Sequence, residues 1–372
     1  MQKNFTVSVI LPVYNSERYI GRCLRSLNRD KFEILVFATG MHMLKKYGLT
    51  INEVRKLKKT SIYEFTNQKE GDSQVEILSK TVLSLEDFII EHKPDLMIVH
   101  GDRVEALSGV IVAATNNLNC CHIEGGEISG TLDEMYRHAS SKFSTTHLVS
   151  SHEAKKRLTK LGENPQNVFV IGSSELDYHK LSNVSLDKMK KHYKINFDEY
   201  GIFMFHPSYY EIYKYELFLK ILFKELVNLK KNFIIFLPNN DPGSELIFNQ
   251  IKKLKSKNFK VIPSMRFEYF STLLKNSSIV IGNSSVIVRE CPFLGIPSIL
   301  IGDRQNNRSH AKSIKKIKID DARILSRVVL QNWNKRFSSN KSFGDGNSIS
   351  KFKKLISSNK LFPKQITKSF YE

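Results

Sequence analysis

Three carboxylates carry the first sign of chemistry in this chain. Asp102 lies in Val99-His-Gly-Asp-Arg103, after an apolar strand and before a helix, where it can cap that helix or aim into a binding site. Glu124 lies in His122-Ile-Glu-Gly-Gly-Glu127. A strand delivers it to its end, and two glycines remove side-chain bulk beside it. His122 shares its face and reads equally as a site group or a core histidine. Glu134 lies in Thr131-Leu-Asp-Glu-Met-Tyr-Arg-His138. It either completes a capping box begun by Thr131 or faces a cleft, with Arg137 and His138 a turn further on. Such a group can keep one carboxyl protonated and others ionised, which acid–base work near neutral pH requires.

A second set suits an anionic ligand. His206, in Phe205-His-Pro207, leaves a buried-type strand. Gly282-Asn283-Ser284-Ser285 follows another strand and opens an expected helix over 285–293, a pattern suited to a diphosphate. Glu290, about one and a half turns into that helix, is placed to accept ribose hydroxyls. Arg304 and Arg308, after the next strand, offer guanidinium groups to phosphate or base. No H-E-x-x-H or paired His/Cys spacing occurs, so no metal is expected. Gly-x-Gly-x-x-Gly is absent, so no dinucleotide cofactor is expected either.

These residues need strands to end beside them. Runs rich in Val, Ile and Phe predict strands over 7–13, 32–38, 96–100, 120–123, 147–149 and 168–171. The second half adds 201–205, 232–237, 259–261, 279–281 and 298–301. Amphipathic periodicity predicts helices between them, over 16–27, 75–92, 103–116, 213–229, 244–255 and 267–275. Alternating strand and helix implies parallel sheets, hence an α/β fold of two Rossmann-like domains, 1–180 and 181–372, facing a cleft. Asp177–Glu199 reads as the junction. A polar tail follows about Asp320, with a helix expected over 320–332.

Composition narrows the class. The 372 residues hold 57 Lys+Arg against 37 Asp+Glu, a net charge of +20, with 41% hydrophobic residues. That is globular composition, not disorder. The lysines alternate with Ile or Leu as on solvated faces, and no nucleic-acid-binding signature occurs, so nucleic acid is not expected as a partner. Cys23, Cys120, Cys121 and Cys291 lack C-x-x-C spacing and suit a reducing, cytoplasmic setting. No apolar run approaches ~18 residues, so no membrane insertion is expected. The opening Met1–Asn15 reads as a strand and not a signal peptide.

Taken in order, His100-Gly-Asp-Arg, His122-Ile-Glu-Gly-Gly-Glu, Asp133-Glu with Arg137-His138, Gly172-Ser, His206-Pro, Gly282-Asn-Ser-Ser, Arg289-Glu290, Gly295-Ile-Pro and Gly302-Asp-Arg-Gln resemble one family over residues 31–310. It is the UDP-N-acetylglucosamine 2-epimerases, particularly the hydrolysing branch that supplies N-acetylmannosamine for sialic acid. The Phe37–Met43 segment is also similar to that branch. The resemblance implies a glycosyltransferase-B architecture and UDP held mainly by the second domain. It implies acid–base roles for Asp102, Glu124 and Glu134 and a catalytic role for His206. It places Arg103, Arg137, Gly282, Asn283, Ser284, Ser285, Glu290 and Arg304 around the UDP-sugar. It implies no cofactor, and a homodimer.

Residues 1–28 depart from that pattern and instead resemble the opening strand and helix of family-2 inverting glycosyltransferases. The family's Gly-Thr-Arg turn is replaced by Pro12-Val-Tyr-Asn-Ser16. Strand, turn and helix can still fill the first β-α position. Loss of the Arg weakens the case for binding a departing diphosphate. Three readings therefore stand beside the first: a non-hydrolysing epimerase, one acting on a modified UDP-sugar, and a catalytically impaired nucleotide-binding remnant.

Overall fold

Strands buried on both faces of a parallel sheet read as unbroken apolar runs. The chain builds two such sheets. The computed structural model describes residues 5–11, 32–45, 49–57, 60–69, 71–208, 215–238, 243–363 and 365–371. In chain order the elements are β1 (Phe5–Leu11), β2 (Phe32–Ala38), α1 (Ile51–Val54), β3 (Ser61–Glu64), α2 (Gln74–His92), β4 (Leu96–His100), α3 (Val104–Thr115), β5 (Asn119–Ile123), α4 (Asp133–Phe143), β6 (Thr146–Val149), α5 (His152–Lys160), β7 (Val168–Val170), α6 (Ser174–Leu181) and α7 (Leu186–Tyr193). There follow β8 (Gly201–Met204), α8 (Tyr215–Asn228), β9 (Phe233–Phe236), α9 (Ser244–Lys252), β10 (Phe259–Ile262), α10 (Phe267–Lys275), β11 (Ile279–Gly282), α11 (Glu290–Leu294), β12 (Ser298–Ile301), β13 (Ile314–Ile317), α12 (Leu325–Asn332) and α13 (Ser348–Ser357).

Two compact units divide the chain. The first comprises residues 1–127, 133–177 and 344–372; the second comprises 128–132 and 178–343. The first sheet has the order β3-β2-β1-β4-β5-β6-β7, and the second β10-β9-β8-β11-β12-β13. Every pairing is parallel. Both orders reverse beside their first strand, the doubly wound arrangement. The switch points lie at the carboxyl ends of β1 and β4, and of β8 and β11.

Strand periodicity explains the first core. Ile34, Val36 and Ala38 of β2 point into one apolar cluster, while Leu35 and Phe37 point into another on the opposite face. In the second unit α8 lays Phe218, Leu219, Leu222 and Leu226 on the sheet at helical spacing.

Three expectations change, while the Asp177–Glu199 stretch read as the junction holds the end of α6 and all of α7. The helix expected over 285–293 is a 3-10 turn, Ser285–Ile287, followed by the short α11, so Glu290 is that helix's first residue. The helix expected over 320–332 begins as a 3-10 segment, Ile319–Ile324, before α12. The tail from Gly344 groups with the first unit and not, as expected, with the second domain. Asp177 explains the last change: its carboxylate accepts from the Ser348 and Ile349 N–H groups and the Ser348 hydroxyl, capping α13 at 2.8–2.9 Å. The expected helix over 16–27 and the Pro12–Ser16 turn lie outside the described residues.

Candidate functional site

In the first unit the acidic groups leave neighbouring strand ends. β4 and β5 pair through His100 and Ile123, and the Gly101 N–H donates to the Ile123 carbonyl at 3.1 Å. Asp102 follows. It does not cap α3, whose N-cap position is taken by Arg103 without a side-chain hydrogen bond. The Asp102 carboxylate instead accepts from Nη2 of Arg137, a residue on α4 that is almost wholly buried. Arg137 Nη1 donates to the Glu127 carbonyl at 3.0 Å, so one guanidinium ties Asp102 to the end of the Gly-Gly turn. Glu134 lies one helical turn before Arg137, with its Oε1 3.8 Å from His138 Nε2.

Glu124 has φ +71°, in the left-handed region that a non-glycine residue enters at a cost. Its N–H is held by the Leu148 carbonyl at 2.9 Å. Its Oε1 lies 3.6 Å from Nε2 of buried His100 and 3.4 Å from the Ser173 hydroxyl, whose shorter contact is with Glu175 Oε2. The strained backbone presents a mostly buried carboxylate at the end of β5.

His122 proves to be the core histidine of the two readings. It is fully buried, and burial pushes its imidazole down to about 3. Nε2–H donates to the Gly101 carbonyl at 2.8 Å, which leaves Nδ1 to accept from the Ser141 hydroxyl at 3.2 Å. A Cβ on Gly125 would come within 2.8 Å of Ser141 Oγ and 3.1 Å of His122 Nδ1, so a larger residue there would displace the Ser141 hydroxyl from His122.

The second unit places its set at the β8/β11 switch point. Gly282 has φ +140°, and a Cβ there would fall 1.8 Å from the Met204 carbonyl oxygen. That close approach lets Asn283 reach His206. The His206 N–H donates to Asn283 Oδ1, and Asn283 Nδ2 donates to the His206 carbonyl, each at 2.7 Å. Asn283 was expected on the nucleotide; its amide is committed to the His206 main chain. Arg304 Nη1 donates to the Asn283 carbonyl at 3.4 Å. Ser284 is buried and Ser285 half-buried. Glu290 is buried, with Oε1 3.1 Å from His179 Nε2.

Sequence reasoning missed Glu105 and its neighbours. This glutamate is buried in the first turn of α3, and its Oε1 accepts from Gln68 Nε2 at 3.2 Å. Burial raises its carboxyl above the usual range, against the pull of Arg103. Its position among the inward residues of α3 was the available signal. Burial also pushes the Cys120 and Cys121 thiols up to about 12, leaving them unreactive. Among the described residues, no group of three His, Cys, Asp or Glu could hold a metal. None of the described helices is long and apolar enough to cross a membrane.

Two doubly wound sheets in one chain, each with polar groups beyond the carboxyl ends of its strands, define the glycosyltransferase-B class of α/β proteins. A family model described as UDP-N-acetylglucosamine 2-epimerase matches residues 25–357. The chain belongs to that family. It is 41% identical over 288 residues to a UDP-N-acetylglucosamine 2-epimerase of Neisseria meningitidis serogroup B, covering 77% of this chain and 76% of the relative. It is 31% identical over 325 residues to a hydrolysing GDP/UDP-N,N'-diacetylbacillosamine 2-epimerase of Campylobacter jejuni, covering 84% of each. Its fold matches the crystal structure of a Methanocaldococcus jannaschii UDP-GlcNAc 2-epimerase in complex with UDP-GlcNAc and UDP. The TM-score is 0.81 at 20% identity, over 95% of this chain and all of that one.

Proposed function

We propose that the protein is a hydrolysing UDP-N-acetylglucosamine 2-epimerase that releases UDP and N-acetylmannosamine for sialic or related nonulosonic acid synthesis. The observation that carries the reading is the first unit's acidic group: Asp102 anchored by Arg137, Glu124 held in a left-handed backbone, and Glu134 one turn before Arg137. One of the three takes the proton from C2 of the sugar as the C1–O bond breaks and its electron pair leaves with UDP. The product is a 2-acetamidoglucal. Water then adds across C1=C2, hydroxyl to C1 and proton to C2 on the opposite face, with another carboxyl supplying that proton. His206 and the arginines Arg103, Arg137 and Arg304 bind or steady the leaving diphosphate. Gly282, Ser284, Ser285 and Glu290 hold the nucleotide.

A modified UDP-sugar is the second reading, favoured by the 31% identity to the Campylobacter diacetylbacillosamine enzyme. Incubation in deuterated water with UDP-N-acetylglucosamine, and separately with UDP-N,N'-diacetylbacillosamine, tests both. Free N-acetylmannosamine with deuterium at C2 is the expected product. UDP-N-acetylmannosamine would show a reversible enzyme instead. Turnover of the diacetamido sugar alone would select the second reading. UDP binding without turnover of either would show an impaired remnant.

A further inference from the structure

We propose that His179 is a positioning residue for nucleotide recognition, fixing the Glu290 carboxylate so that one of its oxygens is left to accept the ribose hydroxyls of a uridine diphosphate. The inference rests on the placement of Glu290 at the nucleotide given under Proposed function.

Three buried side chains of the second unit line up. Ser271 on α10, His179 on α6 and Glu290 at the start of α11 are each at most 4% exposed. Ser271 Oγ is 2.9 Å from His179 Nδ1, and His179 Nε2 is 3.1 Å from Glu290 Oε1. The directions of these bonds follow from elementary valence. An unprotonated Nε2 facing a carboxylate would set lone pair against lone pair. Nε2 therefore carries the hydrogen and donates to Glu290, and Nδ1 accepts from the Ser271 hydroxyl. The Phe267 ring, 5.2 Å from the imidazole between centroids, packs against it. The carboxylate thus has one oxygen spoken for. Among the described residues no protein donor reaches Oε2.

The order resembles a hydrolase triad, yet buried Ser271 is no nucleophile. Its hydroxyl sets the tautomer, the tautomer aims the N–H, and the N–H aims the carboxylate. A carboxylate with no fixed partner would sample several rotamers, and each nucleotide bound would have to order it. A merely structural ion pair would have no bearing on which nucleotide binds. A positioning pair must affect the ribose hydroxyls in particular.

Calorimetry with UDP and with 2′,3′-dideoxy-UDP separates these. The wild type is expected to prefer UDP by about tenfold or more, the size of a hydrogen bond to a charged group. His179→Leu should lose most of that preference by weakening UDP and leaving the dideoxy nucleotide nearly unchanged. His179→Gln, which can place an amide N–H near the former Nε2, should keep most of it. This second variant supplies the answer if the leucine protein melts early. Equal loss for both nucleotides, or unchanged preference in His179→Leu, would overturn the inference and leave the UDP site standing. A wild type that binds UDP with no preference would remove Glu290 from the ribose, and the inference with it. A wild type that binds no UDP at all would take down the nucleotide reading itself.

Discussion

A single side chain holds both main-chain polar groups of His206: the amide of Asn283, 77 residues away, accepts from its N–H and donates to its carbonyl at 2.7 Å each. β8 and β11 pair directly, so the two residues leave adjacent strands at the switch point. The amide works here because it carries one donor and one acceptor. Asp at 283 would set an oxygen against the His206 carbonyl. Asn283→Ala and Asn283→Asp should therefore each lower stability by about 1–3 kcal/mol, the cost of buried main-chain groups left unmatched. Both should lower turnover as well, because the imidazole loses its mount. In the background of His206→Ala, adding Asn283→Ala should change UDP release little further. Fully additive losses in that double-mutant cycle would mean that Asn283 acts elsewhere.

In the proposed reaction, Glu124 is the place where function and stability pull apart. Its φ of +71° suits glycine, and the side chain is not needed for the Leu148 hydrogen bond, which the main chain makes. Glu124→Gly should be as stable as the wild type or more so, by up to ~1 kcal/mol, and yet inactive. Glu124→Gln keeps the shape and should also lose turnover, by roughly 10²–10⁴-fold if the carboxylate moves a proton. Urea melts and deuterium incorporation at C2 check the pair. A Glu124→Gly protein clearly less stable than wild type would show the side chain to be scaffold.

The sheet interiors were legible because burial on both faces leaves only apolar residues. β2, β4 and β12 have the bounds that their runs predicted. Of the edge strands, β7 and β10 were predicted over 168–171 and 259–261, but β3 and β13 were not. In β13, Lys315 and Lys316 face solvent and read as a charged surface run, and in β3 only Ile62 is apolar apart from a half-exposed Tyr63. The candidate site residues stand out in the sequence wherever they follow a strand, since the carboxyl end of a parallel sheet must present whatever comes next. Partners across sequence were not. Nothing in the spacing says that His179 meets Glu290, that Asn283 clamps His206, or that Asp102 prefers Arg137 to the helix it precedes. Those pairings are set by strand order, which a single sequence leaves implicit.

His122 should never carry charge while the protein is folded. Burial holds it near 3, against about 6.5 in the unfolded chain. Between those values the unfolded state binds the proton and the folded state does not. Stability is therefore intact above about pH 6.5 and declines as pH falls toward 3, by at most about 1.4 kcal/mol per pH unit from this group. His147, also lowered by burial, acts in the same direction. His122→Phe removes one such group, so its stability should fall less steeply over this range. It should be less stable at pH 7, because the Gly101 carbonyl and Ser141 hydroxyl lose their partner. Imidazole NMR resonances offer a direct check: a His122 ring that titrates near pH 6.5 in the folded protein contradicts the assignment.

Two buried glutamates of the first unit should respond oppositely to the same substitution. Burial favours the neutral form of Glu163, but His147 and Lys368 outweigh it and hold the carboxyl down to about 2; Lys142 Nζ adds a contact at 2.9 Å. Lys368 ties the C-terminal segment down here, aided by the Tyr371 N–H, which donates to the Gly162 carbonyl at 3.0 Å. The stability from Glu163 is present above its unfolded value of 4.5 and lost as pH falls toward 2. Glu163→Gln should cost about 3 kcal/mol at pH 7, as expected when one member of a buried ion pair is removed, and expose the segment around Lys368 to proteolysis. At Glu105 burial outweighs the opposing pull of Arg103 and raises the carboxyl, so wild-type stability is eroded as pH rises past 4.5. Glu105→Gln should be neutral at pH 4 and stabilising at pH 7, with Oε1 still accepting from Gln68. Denaturant melts of both variants at the two pH values decide the matter; a Glu105→Gln protein that is weaker at pH 7 than at pH 4, relative to wild type, would show that this carboxylate is ionised and held by a partner.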